Sequence, residues 1–199
     1  GLESQQPVSS GSYDFKNGGQ LGVHIDELDN AEKWSIDFFV SYNNQSYRDT
    51  DQGYIYASDE VGNMQLFFQS YPAIDPVSSD SVVVFHLITE NYSDENETPL
   101  TLFVDPDDIN EGGFNWVNIY YDGANLGMYL SNGQVVVHTS NYVPGRNFTE
   151  YDVWFWFGRN NGGGEYGEYS DYNMDAVHIM RDNRIEIGPP SNRYAPFEE

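Results

Sequence analysis

Residues 114–138, FNWVNIYYDGANLGMYLSNGQVVVH, restrict what this chain can fold into more than any other stretch. Phe114 to Asp122 alternates around Trp116, Ile119 and Tyr121, which are expected to face a core. Gly123-Ala124-Asn125 turns the chain, Leu126 to Leu130 returns it, and Asn132-Gly133 turns it again into Gln134-Val135-Val136-Val137. An Asn-Gly pair between two alternating apolar runs signals a tight hairpin, because both central residues of that turn take positive φ. The stretch therefore predicts a β-meander of three short strands. It says nothing about a ligand.

The rest of the chain repeats the theme. Trp34 to Tyr42 puts Trp34, Ile36, Phe38, Val40 and Tyr42 on one face and Ser35, Asp37 and Ser41 on the other, the clearest period-two segment present. Further strands are expected at Tyr13–Phe15, Gln20–Ile25, Gly53–Ser58, Asn63–Ser70, Leu100–Val104, Tyr151–Phe157 and Asn173–Arg181. Ser81 to Thr89 (SVVVFHLIT) is apolar on both faces, as a central strand between layers would be. Between these runs lie polar or Gly/Pro-rich connections: 26–33, 43–51, 72–80, the acidic 90–98, 105–113, 140–150 and 160–172. About a dozen short strands with frequent turn chemistry and no convincing helix predict an all-β, antiparallel β-sandwich of jelly-roll type. The expected organisation is a linker or leftover segment at 1–11, a single domain at 12–187 and a Pro-rich tail at 188–199.

The order of these motifs resembles that of the concanavalin A-like lectin/glucanase superfamily, and its laminin-G-like jelly rolls in particular. Tyr13-Asp14-Phe15, Asn17-Gly18-Gly19 and Gln20-Leu21 look like that family's opening strand pair. Trp34-Ser35-Ile36 with Phe38 and Val40 looks like its next long strand. Tyr121-Asp122-Gly123, then Tyr129-Leu130 and Asn132-Gly133, resemble its core hairpins, and Asp175 to Arg181 its final strand. The resemblance runs loosely from Tyr13 to Arg181 and implies a sandwich that binds carbohydrate or glycoprotein. Animal laminin-G modules usually carry a disulfide; this chain has no cysteine, which points to a microbial, viral or algal origin.

Composition narrows the partners. The 199 residues suffice for one domain with a real core, and an aromatic content of 16% argues against a disordered chain. Thirty-two acidic residues stand against 8 basic ones, a formal charge of −24. Such a surface repels phosphate backbones, so no nucleic acid partner is expected, and it disfavours sulfated or sialylated glycans unless a cation bridges them. No apolar run approaches the roughly 18 residues of a membrane span. The sequons at Asn44, Asn91, Asn96 and Asn147, and a chain that opens on Gly1, suggest a piece of a longer extracellular, cell-surface or virion protein.

Two features could carry recognition. Trp154 and Trp156 share one face of their strand, opposite Val153, Phe155 and Phe157. Matching Phe157-Gly158-Arg159 to the family's strand end puts Phe155 and Phe157 inward, leaving the two indoles outward, beside Tyr120, to stack on a neutral sugar. The loop 160–172 mixes rigid aromatics with hydrogen-bonding groups, as recognition surfaces do; Asn160, Asn161, Glu165, Tyr166 and Tyr169 are its candidate contacts. The bland alternatives are indoles covered by a neighbouring strand or subunit, and a solvated loop.

Calcium is the cation that fits, since oxygen ligands abound and sulfur is absent. Asp105, Asp107, Asp108 and Asn110 crowd one loop without matching an EF-hand; Asp175, by the family resemblance, would ligate calcium with carbonyls from 17–19. The four histidines have no zinc spacing. Related glucanases carry paired carboxylates on a strand; Asp26-Glu27 with Asp29, and Glu165 with Glu168, lie in connections, so no enzyme is expected. The leading expectation is a non-catalytic, extracellular lectin-like module for a neutral glycan or glycoprotein, possible also as a homo-oligomer. Its rivals are a viral or microbial attachment head working through protein contacts, and a glycan hydrolase or lyase. The −24 charge makes one physical prediction. The melting temperature should climb as salt rises from about 10 mM to about 1 M, where the Debye length shrinks from about 30 Å to about 3 Å. A flat salt dependence would contradict self-repulsion as a destabilising force.

Overall fold

The computed structural model describes residues 13–15, 20–25, 28–89, 99–148, 153–158 and 170–189. Among these residues twelve strands follow one another: β1 (Tyr13–Phe15), β2 (Leu21–His24), β3 (Trp34–Tyr42), β4 (Gln52–Asp59), β5 (Met64–Ile74), β6 (Ser81–Thr89), β7 (Leu100–Val104), β8 (Asn115–Tyr121), β9 (Asn125–Ser131), β10 (Val136–Tyr142), β11 (Val153–Phe157) and β12 (Tyr172–Arg181). They form two six-stranded antiparallel sheets: β1-β12-β3-β8-β9-β10, hereafter the first sheet, and β2-β11-β4-β5-β6-β7, the second. A 3-10 turn at Asn43–Gln45 runs into a single helical turn, α1 (Ser46–Asp49). No helix among the described residues is long and apolar enough to cross a membrane.

Alternation decides which side chains fill the gap. Trp34, Ile36, Phe38, Val40 and Tyr42 of β3 are all in the core, as their period predicts, and the Phe38 ring meets Tyr54 and Phe68 of the opposite sheet. The expected core trio in β8 is corrected by the same rule. Val117, Ile119 and Tyr121 face inward, so Trp116, an odd number of residues away, must face outward. It is nonetheless buried, paired across from Phe39.

The two turns of the meander form where expected, but the second is built differently. Only Gly133 takes positive φ, at 93°. Asn132 instead accepts the Gln134 and Val135 amides on its side-chain oxygen, at 2.8 and 2.7 Å, which closes the turn over 132–135 and starts β10 at Val136. β10 then continues to Tyr142, through a stretch the sequence offers as loop. It is the edge of the first sheet, mostly exposed, so it needs no apolar alternation. β5 likewise runs through Pro72, which is tolerated because the pairing with β4 ends at Ser70.

At one end of the gap, hydroxyls cross between the sheets. Tyr42 of β3 and Tyr54 of β4 share a hydrogen bond of 2.5 Å, and Tyr54 bonds onward to Ser70 of β5 at 2.6 Å. Tyr172 of β12 donates to the Gly53 carbonyl of β4 at 2.6 Å. At the other end Phe148 wedges between Trp34 and Phe155, while the Trp34 indole donates to the Arg146 carbonyl.

Burial pushes the Tyr42, Tyr54 and Tyr172 hydroxyls well above the ordinary 10.0. Because the folded values are raised, the stability these groups contribute is intact below pH 10 and lost as the pH climbs beyond it. An ultraviolet titration should therefore show these tyrosines ionising only together with loss of the fold. Ordinary ionisation with the fold intact would contradict the packing.

Candidate functional site

β11 supplies one inner and one outer set. Val153, Phe155 and Phe157 are buried in the core; Trp154 and Trp156 stand on the outer face of the second sheet. Trp156 lies between Gly22 of β2 and Tyr56 of β4 in the pairing register. A Cβ at Gly22 would come within 2.5 Å of the indole, so the ring rests on bare glycine backbone, which only glycine permits. Trp154 pairs with His24 and stacks on its ring at 5.1 Å, 24° between planes; the two indoles are 6.2 Å apart, also at 24°. Trp154 is 41% exposed. His24, Trp154, Trp156 and Tyr56 thus pave a strip of aromatic surface across three strands. Flat, part-exposed rings of this kind offer dispersion contact to an apolar face while keeping their N–H and O–H at the wet side.

Tyr120 does not join them. It belongs to β8, and with Ile119 and Tyr121 facing inward it points to the outer face of the first sheet, on the far side of the sandwich. There it lies across Gly127, its hydroxyl 3.1 Å from His138 Nε2, while Tyr129 stacks on His138 at 3.9 Å. Burial pushes the Tyr120 hydroxyl up and the His138 ring down from their ordinary values. Nearby, the buried Asp37 carboxylate contacts His178 Nδ1 at 3.0 Å. Residues 185–188 cross this face: Asn118 donates to the Glu186 carbonyl and accepts from the Gly188 amide, and Ser35 accepts from the Glu186 amide. Asn160, Asn161, Glu165, Tyr166 and Tyr169 lie outside the described residues.

The acidic loop is largely occupied with its own geometry. Asp105 caps the 3-10 turn at Pro106–Asp108 by accepting the Asp107 amide, Asp107 and Glu111 both reach Arg48, and the Asn110 backbone bonds the Asn115 side chain. Asp175 accepts the Ala176 amide at 2.7 Å; the carbonyls of 17–19 lie outside the described residues. Among the described residues, no three His, Asp or Glu side chains gather where they could hold a metal ion.

No protein-family model and no curated protein matches the sequence. Solved structures do. A native heptameric SAP-like pentraxin from Limulus polyphemus superposes with a TM-score of 0.58 at 14% identity, over 85% of this chain and 75% of that one. A structure of botulinum neurotoxin type C, whose cell entry depends on two ganglioside molecules, gives 0.57 at 15% identity; it covers 88% of this chain but 40% of that one. The CBM2 module of the evolved Dit of Lactobacillus casei BL23 phage J-1 gives 0.54 at 12%, over 80% and 67%. The fold is the concanavalin-type jelly roll. At these identities the likeness is one of architecture, and the jelly roll's function must be argued from its own side chains.

The sequence pointed to the outward pair Trp154 and Trp156. It did not reveal His24, Gly22 or Tyr56, because they join the indoles through strand pairing rather than through any spacing in the chain.

Proposed function

We propose that this jelly roll is a non-catalytic carbohydrate-binding module of an extracellular or surface-exposed protein, using the outer face of its second sheet to hold a neutral glycan. The observation that carries this is the glycine-backed strip His24, Trp154, Trp156 and Tyr56, with Trp154 41% exposed. The indoles would stack on sugar ring faces; the candidate loop contacts Asn160, Asn161, Glu165, Tyr166 and Tyr169 would read hydroxyls. Neutral sugars fit a chain of charge −24 better than sialylated ones, despite the ganglioside dependence of the toxin neighbour, of which this chain matches only 40%. Assembly into a homo-oligomer, as in the heptameric pentraxin, and a calcium held at Asp105–Asn110 or beside Asp175 are parts of the proposal that need their own readout.

A glycan array run in calcium and in chelator provides it for the calcium, and light scattering provides it for the oligomer. Signals should fall on neutral glycans and drop on the order of thirty-fold in affinity for Trp156→Ala or Trp154→Ala, about 2 kcal/mol, as at a binding hot spot. Trp154→Ala should leave unfolding within about 0.5 kcal/mol of the parent, as for exposed positions. Loss of signal in chelator would support the calcium. Silence on the array would overturn the carbohydrate reading in favour of a protein receptor, and release of reducing ends from a polysaccharide would overturn the non-catalytic one.

A further inference from the structure

β10 ends the first sheet, with no described strand beyond it. Bonds at its two ends say where its backbone points. The Asn132 amide donates to the Val135 carbonyl at 3.2 Å, and the Val143 amide donates to the Ala124 carbonyl at 2.9 Å. Odd-numbered residues therefore exchange hydrogen bonds with β9, and Val136, His138, Ser140 and Tyr142 turn their N–H and C=O groups to the free edge. Such a row of donors and acceptors is a template for another strand, which natural proteins blunt with charges, prolines or bulges. β10 has none of these: VVHTSNY is uncharged at neutral pH and pairs with β9 in one unbroken register.

Charge says which surface a second chain can approach. Thirty-two of the 199 residues are acidic, yet 123–149, which include all of β9 and β10, hold no Asp or Glu. This is the longest acid-free run in the chain; the next, 61–74, is about half as long. The other described edges differ. β1 contains Asp14, β2 is followed by Asp26, and β7 runs straight into Asp105. A second copy, itself at −24, meets the least repulsion along β10. The strand is also self-complementary. Its side chains with the largest exposed apolar surface, Val136 at 49% and Tyr142 at 68%, lie at opposite ends on the same face.

We propose that two copies of this chain pair antiparallel through β10, about a two-fold axis at Thr139, to make one continuous sheet. Val136 of one copy lies opposite Tyr142 of the other, and His138 opposite Ser140. Every outward N–H and C=O of both strands then finds a partner, and each end gains an aromatic–β-branched pair. The interface is isologous and closes on itself, so it stops at a dimer. Antiparallel pairing joins residues that face the same way, so the axis stands perpendicular to the sheet and both second sheets lie on one side of the dimer. If the strip of Trp154 and Trp156 binds glycan, as proposed above, the dimer presents two such strips to one surface, where avidity multiplies affinity. The pairing itself does not depend on what the strip binds.

Sedimentation velocity of the full chain tests it together with cysteine trapping, which the cysteine-free sequence keeps clean. The parent should dimerise, and more tightly as salt rises from about 10 mM to about 1 M, because screening removes the repulsion between copies. Tyr142→Glu should weaken the dimer at least about tenfold, since it removes two cross-strand contacts and puts charge on the edge, with melting near that of the parent. Under oxidised glutathione Thr139→Cys should form a disulfide-linked dimer, because residues facing each other across the axis in a pair without hydrogen bonds have Cα atoms about 4.5 Å apart. Tyr142→Cys should not, since its counterpart is six residues out of register, about 20 Å away. A dimer that Tyr142→Glu leaves unchanged, or that Thr139→Cys fails to trap, uses another surface; it overturns the β10 interface and leaves a homo-oligomer standing. A parent that stays monomeric at every salt concentration overturns both, and neither result bears on the glycan array.

Discussion

Everything displayed on the outer faces depends on how the two inner faces are locked. The lock is a set of hydroxyls that cross from one sheet to the other inside the core: Tyr42 to Tyr54 to Ser70, and Tyr172 to the Gly53 carbonyl. Dispersion alone would let two apolar sheets slide, since it is non-directional. A buried hydrogen bond has one register in which it is made and many in which a polar group is stranded. With the sheets fixed in this register, every odd–even choice along β3, β8 and β11 is settled, and the outward residues become a consequence of the inward ones.

That consequence produces two outer faces of similar construction and different chemistry. Each lays an aromatic ring over a cross-strand glycine, Trp156 on Gly22 and Tyr120 on Gly127. On the second sheet the ring is extended by His24 and Trp154 into a part-exposed strip. On the first it is buried and bonded to His138, and the segment 185–188, held by Asn118 and Ser35, crosses the same face. The difference explains why the sugar-binding proposal rests on one face only: a ring must be uncovered to stack on anything else.

The fold was legible because its signals are local. The alternation of Trp34 to Tyr42, the doubly apolar run Ser81 to Thr89 and the glycine at 133 are each read within a few residues, and the strands appear there. What was not legible is pairing. Trp154 meets His24, and Tyr120 meets His138, through registers that join distant parts of the chain, so Tyr120 was expected beside the indoles and stands on the opposite sheet. Edge position hid the rest: β10 has little to bury, so Ser140 and Asn141 read as loop. Trp116 was misassigned for a different reason, since it is large and buried but an odd step away from Ile119.

The central claim is that the second sheet's outer face, through Trp154 and Trp156, is what meets a glycan. The chain has four tryptophans, one in the core (Trp34), one buried on the first sheet (Trp116) and two on the strip, so the indole N–H resonances report on all the possibilities at once. Titrating the labelled protein with the tightest-binding neutral oligosaccharide should shift the Trp154 and Trp156 indole signals and leave those of Trp34 and Trp116 in place. Binding that moves Trp116, or that leaves both strip indoles unmoved, would contradict the account.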